Sequence, residues 1–432
     1  MNKFAPFCVL LLSIHTVKAE DWPQWRGVNR DAVLDDTKLV ESFSGERLPL
    51  QWSVPVGAGY SGPTVADGRV YLTDRGPEGA TKEIERVLCF DAKDGSLIWE
   101  HSYEARYIKV GYKAGPRATV TIHDGLAIAV GTMGHMKCFD AVKGDVIWEH
   151  DLNTKYSIRM PAWGIAGAPL VYQDLVIQIV AGSDNACVVA FDVKTGEPRW
   201  QALNEAAGYS APILIKQGDQ DVVVCWTGES VSGLNPSTGD VFWSVPMSSR
   251  NMPIGVATPV VQGNDLFVSS FYDGSLLIRL DPKRPSAKQT WRRIGISEKN
   301  TDALHCMIST PVIKGDHIYG VDSYGELRCL DLKTGDRIWE NKTVVPINRW
   351  ATVHTFRYGD RELLFNDQGE LILGKLQPDG FQEISRTVLL DRTRRQLNRR
   401  GGVTWAHPAI ADGFIYARND KELVRASLKP DG

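Results

Sequence analysis

Four stretches of the sequence carry closely spaced cations and aromatic rings. YEARYIKVGYKAGPR (103–117) holds Arg106, Lys109, Lys113 and Arg117, and KYSIRMPAWG (155–164) holds Arg159 and Trp163. INRWATVH (347–354) holds Arg349 and Trp350. RTRRQLNRRGGVTWAH (392–407) holds Arg392, Arg394, Arg395, Arg399, Arg400, Trp405 and His407. A guanidinium stacks on an aromatic face and forks onto oxyanions, so such loops converging on one funnel suit a flat or anionic ligand. The candidate site is Arg117, Arg159, Trp163, Arg349, Trp350, Arg399, Arg400, Trp405 and His407. The competing reading is solvated loop charge, partly paired with Glu104, Asp151 and Asp391, because exposed ion pairs contribute little.

Other chemistry has less support. His354 and His407 share a register, just before the proline position of neighbouring units, but two imidazoles fall short of a metal's ligand set. The alternative is a pair of hydrogen-bonded histidines near an axis. Tyr60 and Tyr209 also share a register, in GYSGP and GYSAP, and either rim a channel or pack between units. Cys89, Cys138 and Cys329 occupy one repeat position, where another copy has Ala190, which reads as a small buried apolar side chain. There is no CxxC and no adjacent cysteine pair, so neither a cysteine metal site nor a vicinal disulfide is indicated.

The elements that position these loops come from an internal repeat. Its marker is an Asp or Asn, a turn, and a Trp eight positions on: DAKDGSLIW (91–99), DAVKGDVIW (140–148), DVKTGEPRW (192–200), NPSTGDVFW (235–243) and DLKTGDRIW (331–339). DPKRPSAKQTW (281–291) is two residues longer and lacks the glycine, and the copy around LQPDGFQEISRT has lost the Trp. Alternating apolar stretches of strand length precede each marker. Residues 309–340 break at KGD, SYGE and KTGD, which predicts four strands joined by three tight turns. No segment sustains a 3.6-residue apolar period, so helix is nearly absent. One four-stranded antiparallel sheet per repeat, arrayed radially, is a β-propeller.

Each unit opens on small residues, in six cases ending in proline: GYSGP, IAGAP, GYSAP, GVATP, MISTP and TWAHP, with PRATV and ATVHT as variants. Eight openings predict eight blades. The last unit (404–432) stops at its turn, whereas LPLQWSVPVG near the start carries Trp52 with no unit before it. The N-terminal strand around Trp52 is therefore expected to complete the C-terminal blade, because an open ring leaves ladder groups unpaired.

The D-x-x-T-G-x-x-x-W pattern resembles the tryptophan-docking motif of the pyrroloquinoline-quinone (PQQ) repeat, over residues 50–432. The leader DWPQWRGVNRD (21–31) is similar to the start of many exported PQQ-like propellers, and its Trp22 and Trp25 are expected to pack on the outside of the ring. The resemblance implies one of two function classes. Quinoprotein dehydrogenases bind PQQ with calcium and oxidise alcohols or sugars; other members, such as the outer-membrane protein assembly lipoprotein, are binding platforms without the cofactor. The missing Cys-Cys pair, the shorter chain and the lack of an Asp/Glu/Asn cluster at the blade openings favour a non-catalytic binding or assembly platform. Its partner is then a protein, or a small anionic or carbohydrate ligand, over the funnel. A PQQ-dependent dehydrogenase with an atypical site is the alternative.

Length and composition agree with this. The chain has 432 residues with 43% apolar, 23% charged and a net charge of −3, which excludes a wholly basic nucleic-acid binder. Lys3 followed by FCVLLLSI and VKA reads as a secretory signal cut after Ala19, too short to span a bilayer, and Cys8 lacks the small-residue context of a lipidated cysteine. The expected organisation is a signal peptide at 1–19, a lead segment at 20–49 and the propeller at 50–432, exported to the periplasm or secreted. The polar insertion RGPEGATKEIER (75–86) reads as a surface loop of the first blade.

Overall fold

A computed structural model describes residues 21–34, 39–76, 83–399 and 401–430. The signal peptide, Arg400 and the centre of the 75–86 insertion lie outside the described residues. Among those described, eight antiparallel four-stranded sheets form the ring, and the single helix is the one-turn Leu152–Tyr156. Blade 6 is built as its turns require: Val312–Lys314, His317–Val321, Leu327–Asp331 and Arg337–Asn341. The three turns between these strands hold Gly315, Gly325 and Gly335, each at positive φ (60°, 113° and 74°), a region that favours glycine.

The marker motif works across blades. Its Asp caps its own turn: Asp192 Oδ1 accepts the backbone N–H groups of Lys194 (3.0 Å) and Thr195 (2.9 Å), and Asp331 does the same for Lys333 and Thr334. Its glycine leaves room for the tryptophan of the preceding blade. A Cβ on Gly144 would come within 2.6 Å of the Trp99 ring, and one on Gly239 within 2.5 Å of Trp200. The seated indole then donates to a turn carbonyl: Trp99 Nε1 to Ala141 O (3.1 Å), Trp148 to Val193 O (2.9 Å), Trp200 to Pro236 O (3.0 Å), Trp291 to Leu332 O (3.0 Å) and Trp339 to Gln377 O (3.0 Å). Burying each ring contributes roughly 1.5–3 kcal/mol.

Two seats depart from the pattern where the sequence does. The long turn of blade 5 offers Trp243 no carbonyl, and the indole donates to Gln217 Oε1 (2.7 Å). The Gln217 amide passes the contact on to Ser286 O (2.9 Å) in that turn. In blade 7, Ser385 stands opposite Leu373, the register that holds Trp in the other blades. The lead segment fills this seam. Phe43 N donates to Ser385 Oγ (2.9 Å), and Val40 N donates to Leu428 O (2.7 Å), the carbonyl that a tryptophan would otherwise reach.

Leu50–Pro55 then pairs antiparallel with Glu422–Ser427 and completes blade 8, with Trp52 opposite Arg425 and its indole on Ala92 O (3.2 Å). The expectation that Trp22 and Trp25 lie outside is corrected: residues 22–34 occupy the axis. Trp22 exchanges backbone hydrogen bonds with Val65 of blade 1 (2.7 and 3.0 Å), and Pro23 O accepts from Ile122 of blade 2 (2.8 Å). Arg30 donates to Ala168 O (3.2 Å), Pro169 O and Pro212 O (2.9 Å), where blades 3 and 4 begin. Trp25 Nε1 reaches Thr258 Oγ1 before blade 5 (2.8 Å), and Val33–Leu34 adds a parallel strand to blade 7. Eight inner strands enclose an axis too wide for their small side chains to fill, so the lead supplies the missing volume and donors.

Trp52→Ala is expected to lower stability by about 2–4 kcal/mol while leaving a single cooperative transition, because the ring opens as a whole. Denaturant unfolding followed by far-ultraviolet circular dichroism and by fluorescence checks this; two separate transitions would contradict it.

Candidate functional site

The blade openings bring small residues to the axis, and the loops leading into them rise around its open face. Each loop is pinned from below by a carboxylate. Asp322 Oδ1 accepts from His305 N (2.6 Å), Asp273 Oδ1 from Arg250 N (2.9 Å), and Asp420 Oδ2 from Arg395 N (2.9 Å) and Gln396 N (3.2 Å). Buried Glu85 accepts from Thr132 N (3.1 Å) and from the Tyr103 hydroxyl (2.8 Å). These acids hold loops in place, each through at least one carboxylate oxygen.

The pinned loops enclose a cavity of about 870 Å³, open mouth included, walled mainly by rings and small apolar side chains. Trp25 and His407 lie on its floor side, and Ala166, Ala168 and Ala211 form a smooth stretch of wall. Tyr60, Trp163, Tyr209, Trp350 and Trp405 supply the aromatic faces. Trp163 stacks on Tyr209, with centroids 5.0 Å apart. Tyr112 reaches in from the 103–117 loop and meets Trp163 and Trp350 edge to face, at 5.5 and 5.7 Å.

Of the residues expected at the site, Arg117, Trp163, Trp350, Trp405 and His407 line the cavity. Arg349 and Arg399 sit at its rim against the Trp350 ring, at 4.8 and 5.7 Å from the centroid. Arg349 also donates to Tyr272 Oη (3.0 Å) and lies 3.6 Å from a Glu298 carboxylate oxygen. Arg159 is exposed and is not among the lining residues; its backbone N–H bonds Ala181 O (3.1 Å), which fixes the loop and leaves the side chain outside. Tyr60 and Tyr209 line the cavity, the first of the two readings of their shared register. Trp25 and Tyr112 were not expected there. Tyr112 sits inside a loop singled out for its cations, and its reach depends on a positive φ (54°) that no local pattern announces.

Arg117 is a brace. Its two terminal nitrogens donate to Gly115 O, Thr132 Oγ1 (3.0 Å), Gly111 O (2.8 Å) and Tyr112 O, so all four of their hydrogens are committed. Three lining side chains keep a buried polar atom without a partner: Trp350 Nε1, Trp405 Nε1 and His407 Nε2. His407 Nδ1 lies 2.6 Å from Pro408 O and therefore carries the proton, which makes Nε2 an acceptor. His354 stands edge-on to His407 at 4.7 Å and bonds Trp405 O through Nε2 (2.8 Å). Burial holds both imidazoles neutral, His354 down to about 4 and His407 well below its ordinary value, helped by His354 and Arg26 nearby. Burial raises the Tyr209 phenol to about 12.

A family model described as outer membrane protein assembly factor BamB matches residues 83–341, well over half of the chain. The chain belongs to that family. It is 25% identical over 405 residues to the BamB of Burkholderia pseudomallei, covering 88% of this chain and 93% of that protein. It is 23% identical to the Shewanella oneidensis BamB over about half of each chain. Among solved structures, Moraxella catarrhalis BamB superposes with a TM-score of 0.58 at 16% identity, covering 89% of this chain and 99% of that one. The quinohemoprotein alcohol dehydrogenase of Comamonas testosteroni gives 0.64 at 13% identity, covering 96% and 81%. These two likenesses are of fold alone.

That second fold raises the question of PQQ and calcium, and the residues present do not fit them. A tricarboxylate needs free cationic donors, whereas the guanidinium inside the cavity has its terminal hydrogens on backbone carbonyls and a threonine. Calcium needs convergent oxygens, whereas the nearby carboxylates are tied to loop N–H groups. No group of three His, Cys, Asp or Glu able to hold a metal occurs among the described residues.

Stability is expected to fall on acidification between the ordinary histidine pKa and about 4, since the unfolded chain binds protons there that native His354 and His407 refuse. Each contributes a slope of up to about 1.4 kcal/mol per pH unit. His354→Gln flattens the dependence of unfolding free energy on pH; an unchanged slope would show that the imidazole titrates freely.

Proposed function

We propose that the chain is an exported, non-catalytic platform that binds partner proteins during outer-membrane protein assembly. The observation that carries this reading is the match to a family described as outer membrane protein assembly factor BamB, with a relative of that name covered over 93% of its length. The site chemistry supports it: the acids around the funnel are engaged in holding loops, and the walls are aromatic and apolar, which suits recognition. Among the described residues no helix is long and apolar enough to cross a membrane. In this reading residues 1–19 are removed on export after Ala19, the lead at 20–49 precedes the ring, and 50–432 form the ring.

Deleting the gene in its host is expected to lower the level of folded outer-membrane β-barrels, measured by their heat-modifiable mobility on gels, with restoration by the wild-type gene. Unchanged barrel levels would overturn the assembly role. Titration of the purified protein with PQQ and calcium is expected to give neither stoichiometric binding nor dye reduction with alcohols or aldoses; turnover would establish the dehydrogenase alternative.

A further inference from the structure

We propose that the axial cavity is a binding site for a small uncharged molecule built on one aromatic ring, held between the wall rings and capped by Tyr112. The proposal goes beyond the platform reading and does not depend on it.

The walls choose the class of ligand. Trp163, Tyr209, Trp350 and Trp405 line the cavity with rings, and Met307 and Ile308 add aliphatic surface. Polar groups on the wall are engaged elsewhere. Tyr60 Oη donates to Gln396 O (3.1 Å), Trp25 Nε1 to Thr258 Oγ1 (2.8 Å), and the terminal nitrogens of Arg117 to loop oxygens. Trp350 Nε1, Trp405 Nε1 and His407 Nε2 are shut off from solvent, so a visitor meets those rings and not those atoms. A sugar would give up water from several hydroxyls with few partners in return. A carboxylate would do so beside a guanidinium whose terminal hydrogens are taken. An ammonium group would face the fixed charge of Arg117, which stands 5.0 Å from the centre of the Tyr60 ring. An uncharged ring sheds little bound water and gains offset and edge-on contacts with the wall.

The dimensions choose the size. The enclosed space is about 120 Å³ apart from the mouth. An apolar cavity of about 150 Å³ stays dry when empty and takes up benzene. One six-membered ring with a small substituent therefore matches the space.

Tyr112 closes the mouth. It comes from the loop between blades 1 and 2, and its ring meets Trp163 at 5.5 Å and Trp350 at 5.7 Å, edge to face. Those two tryptophans belong to the loops entering blades 3 and 7, which stand opposite each other in a ring of eight. Tyr112 thus bridges the axis from wall to wall, and Trp405 lies 6.2 Å from it on a third side. A main chain leading out of the cavity would have to displace this bridge. That favours a free molecule over a side chain presented by a partner protein.

Fluorine NMR of fluorobenzene mixed with the purified protein tests the proposal. The resonance is expected to shift and broaden on adding protein, and toluene should restore it. Benzoate and benzylammonium carry the same ring with a charge and should compete at least about tenfold less well; glucose should not compete. Ala166→Leu fills the wall and should abolish the broadening. Because a larger wall side chain can disturb folding, Tyr112→Ala, on a partly exposed side chain, is measured alongside. It should leave the melting temperature unchanged and speed release of fluorobenzene severalfold. No change in the resonance up to the solubility limit would overturn the proposal, as would benzoate or benzylammonium competing as well as toluene. Displacement by the peptide Gly-Gly-Phe-Gly-Gly at lower concentration than by toluene would also overturn it, by making the cavity a port for a partner's side chain. Unchanged release from Tyr112→Ala would overturn the cap. Barrel levels after gene deletion report on the platform reading alone.

Discussion

Everything in this ring depends on how one blade grips the next. Among the described residues no backbone ladder crosses from blade to blade, and the joint is made by a side chain: an indole from the outer strand lies over a glycine of the neighbouring turn and donates to a carbonyl there. The Asp of the motif shapes the turn, the glycine clears its surface, and the Trp occupies it. Where one part is missing, the fold provides the same contact by other means. Gln217 relays the Trp243 hydrogen bond to the long turn of blade 5, and the Val40 backbone N–H takes the place of the absent tryptophan between blades 7 and 8. The persistence of the joint across such different suppliers argues that the carbonyl must be met and the gap filled, whatever side chain does it.

This explains what could be read in the sequence. Asp, Gly and Trp at fixed spacing encode a local turn and a contact to the adjoining unit, so blade number and ring closure followed from counting. Trp52 was legible because it had no unit of its own, and Cys89, Cys138 and Cys329, all fully buried, fell at a position where only small apolar groups recur. The lead was not legible. Residues 22–34 have no period and no repeat to compare with, and their path through the axis is set by backbone N–H and C=O groups belonging to blades 1 to 4. Outward packing of Trp22 and Trp25 was the natural reading of two isolated tryptophans before a strand, and only the width of an eight-bladed axis overturns it.

The candidate site divides in the same way. Trp163, Trp350, Trp405, His407 and Arg117 stood out because cations and rings are concentrated in their four stretches, and each lines the cavity. Their roles were less visible. Arg117, chosen as a ligand for an anion, turns its hydrogens onto its own loop, while Arg159 is exposed away from the cavity. A sequence shows which residue types are concentrated in a loop; which of them brace it and which face a visitor is decided by backbone carbonyls that belong to no motif.

The course of the lead has a consequence for how the molecule is made. Phe43 meets a partner 342 positions away and Ser53 one 369 positions away, so the first-made residues are joined to nearly the last. Closing so long a loop adds little to the free-energy cost, which grows only with the logarithm of its length, but it delays assembly. A ribosome releasing this chain from its amino end presents Leu50–Pro55 as a bare edge until Glu422–Ser427 arrives to cover it. A product cut short keeps that edge uncovered. The geometry thus acts as a completeness check, marking any prematurely terminated chain as adhesive and open to proteolysis.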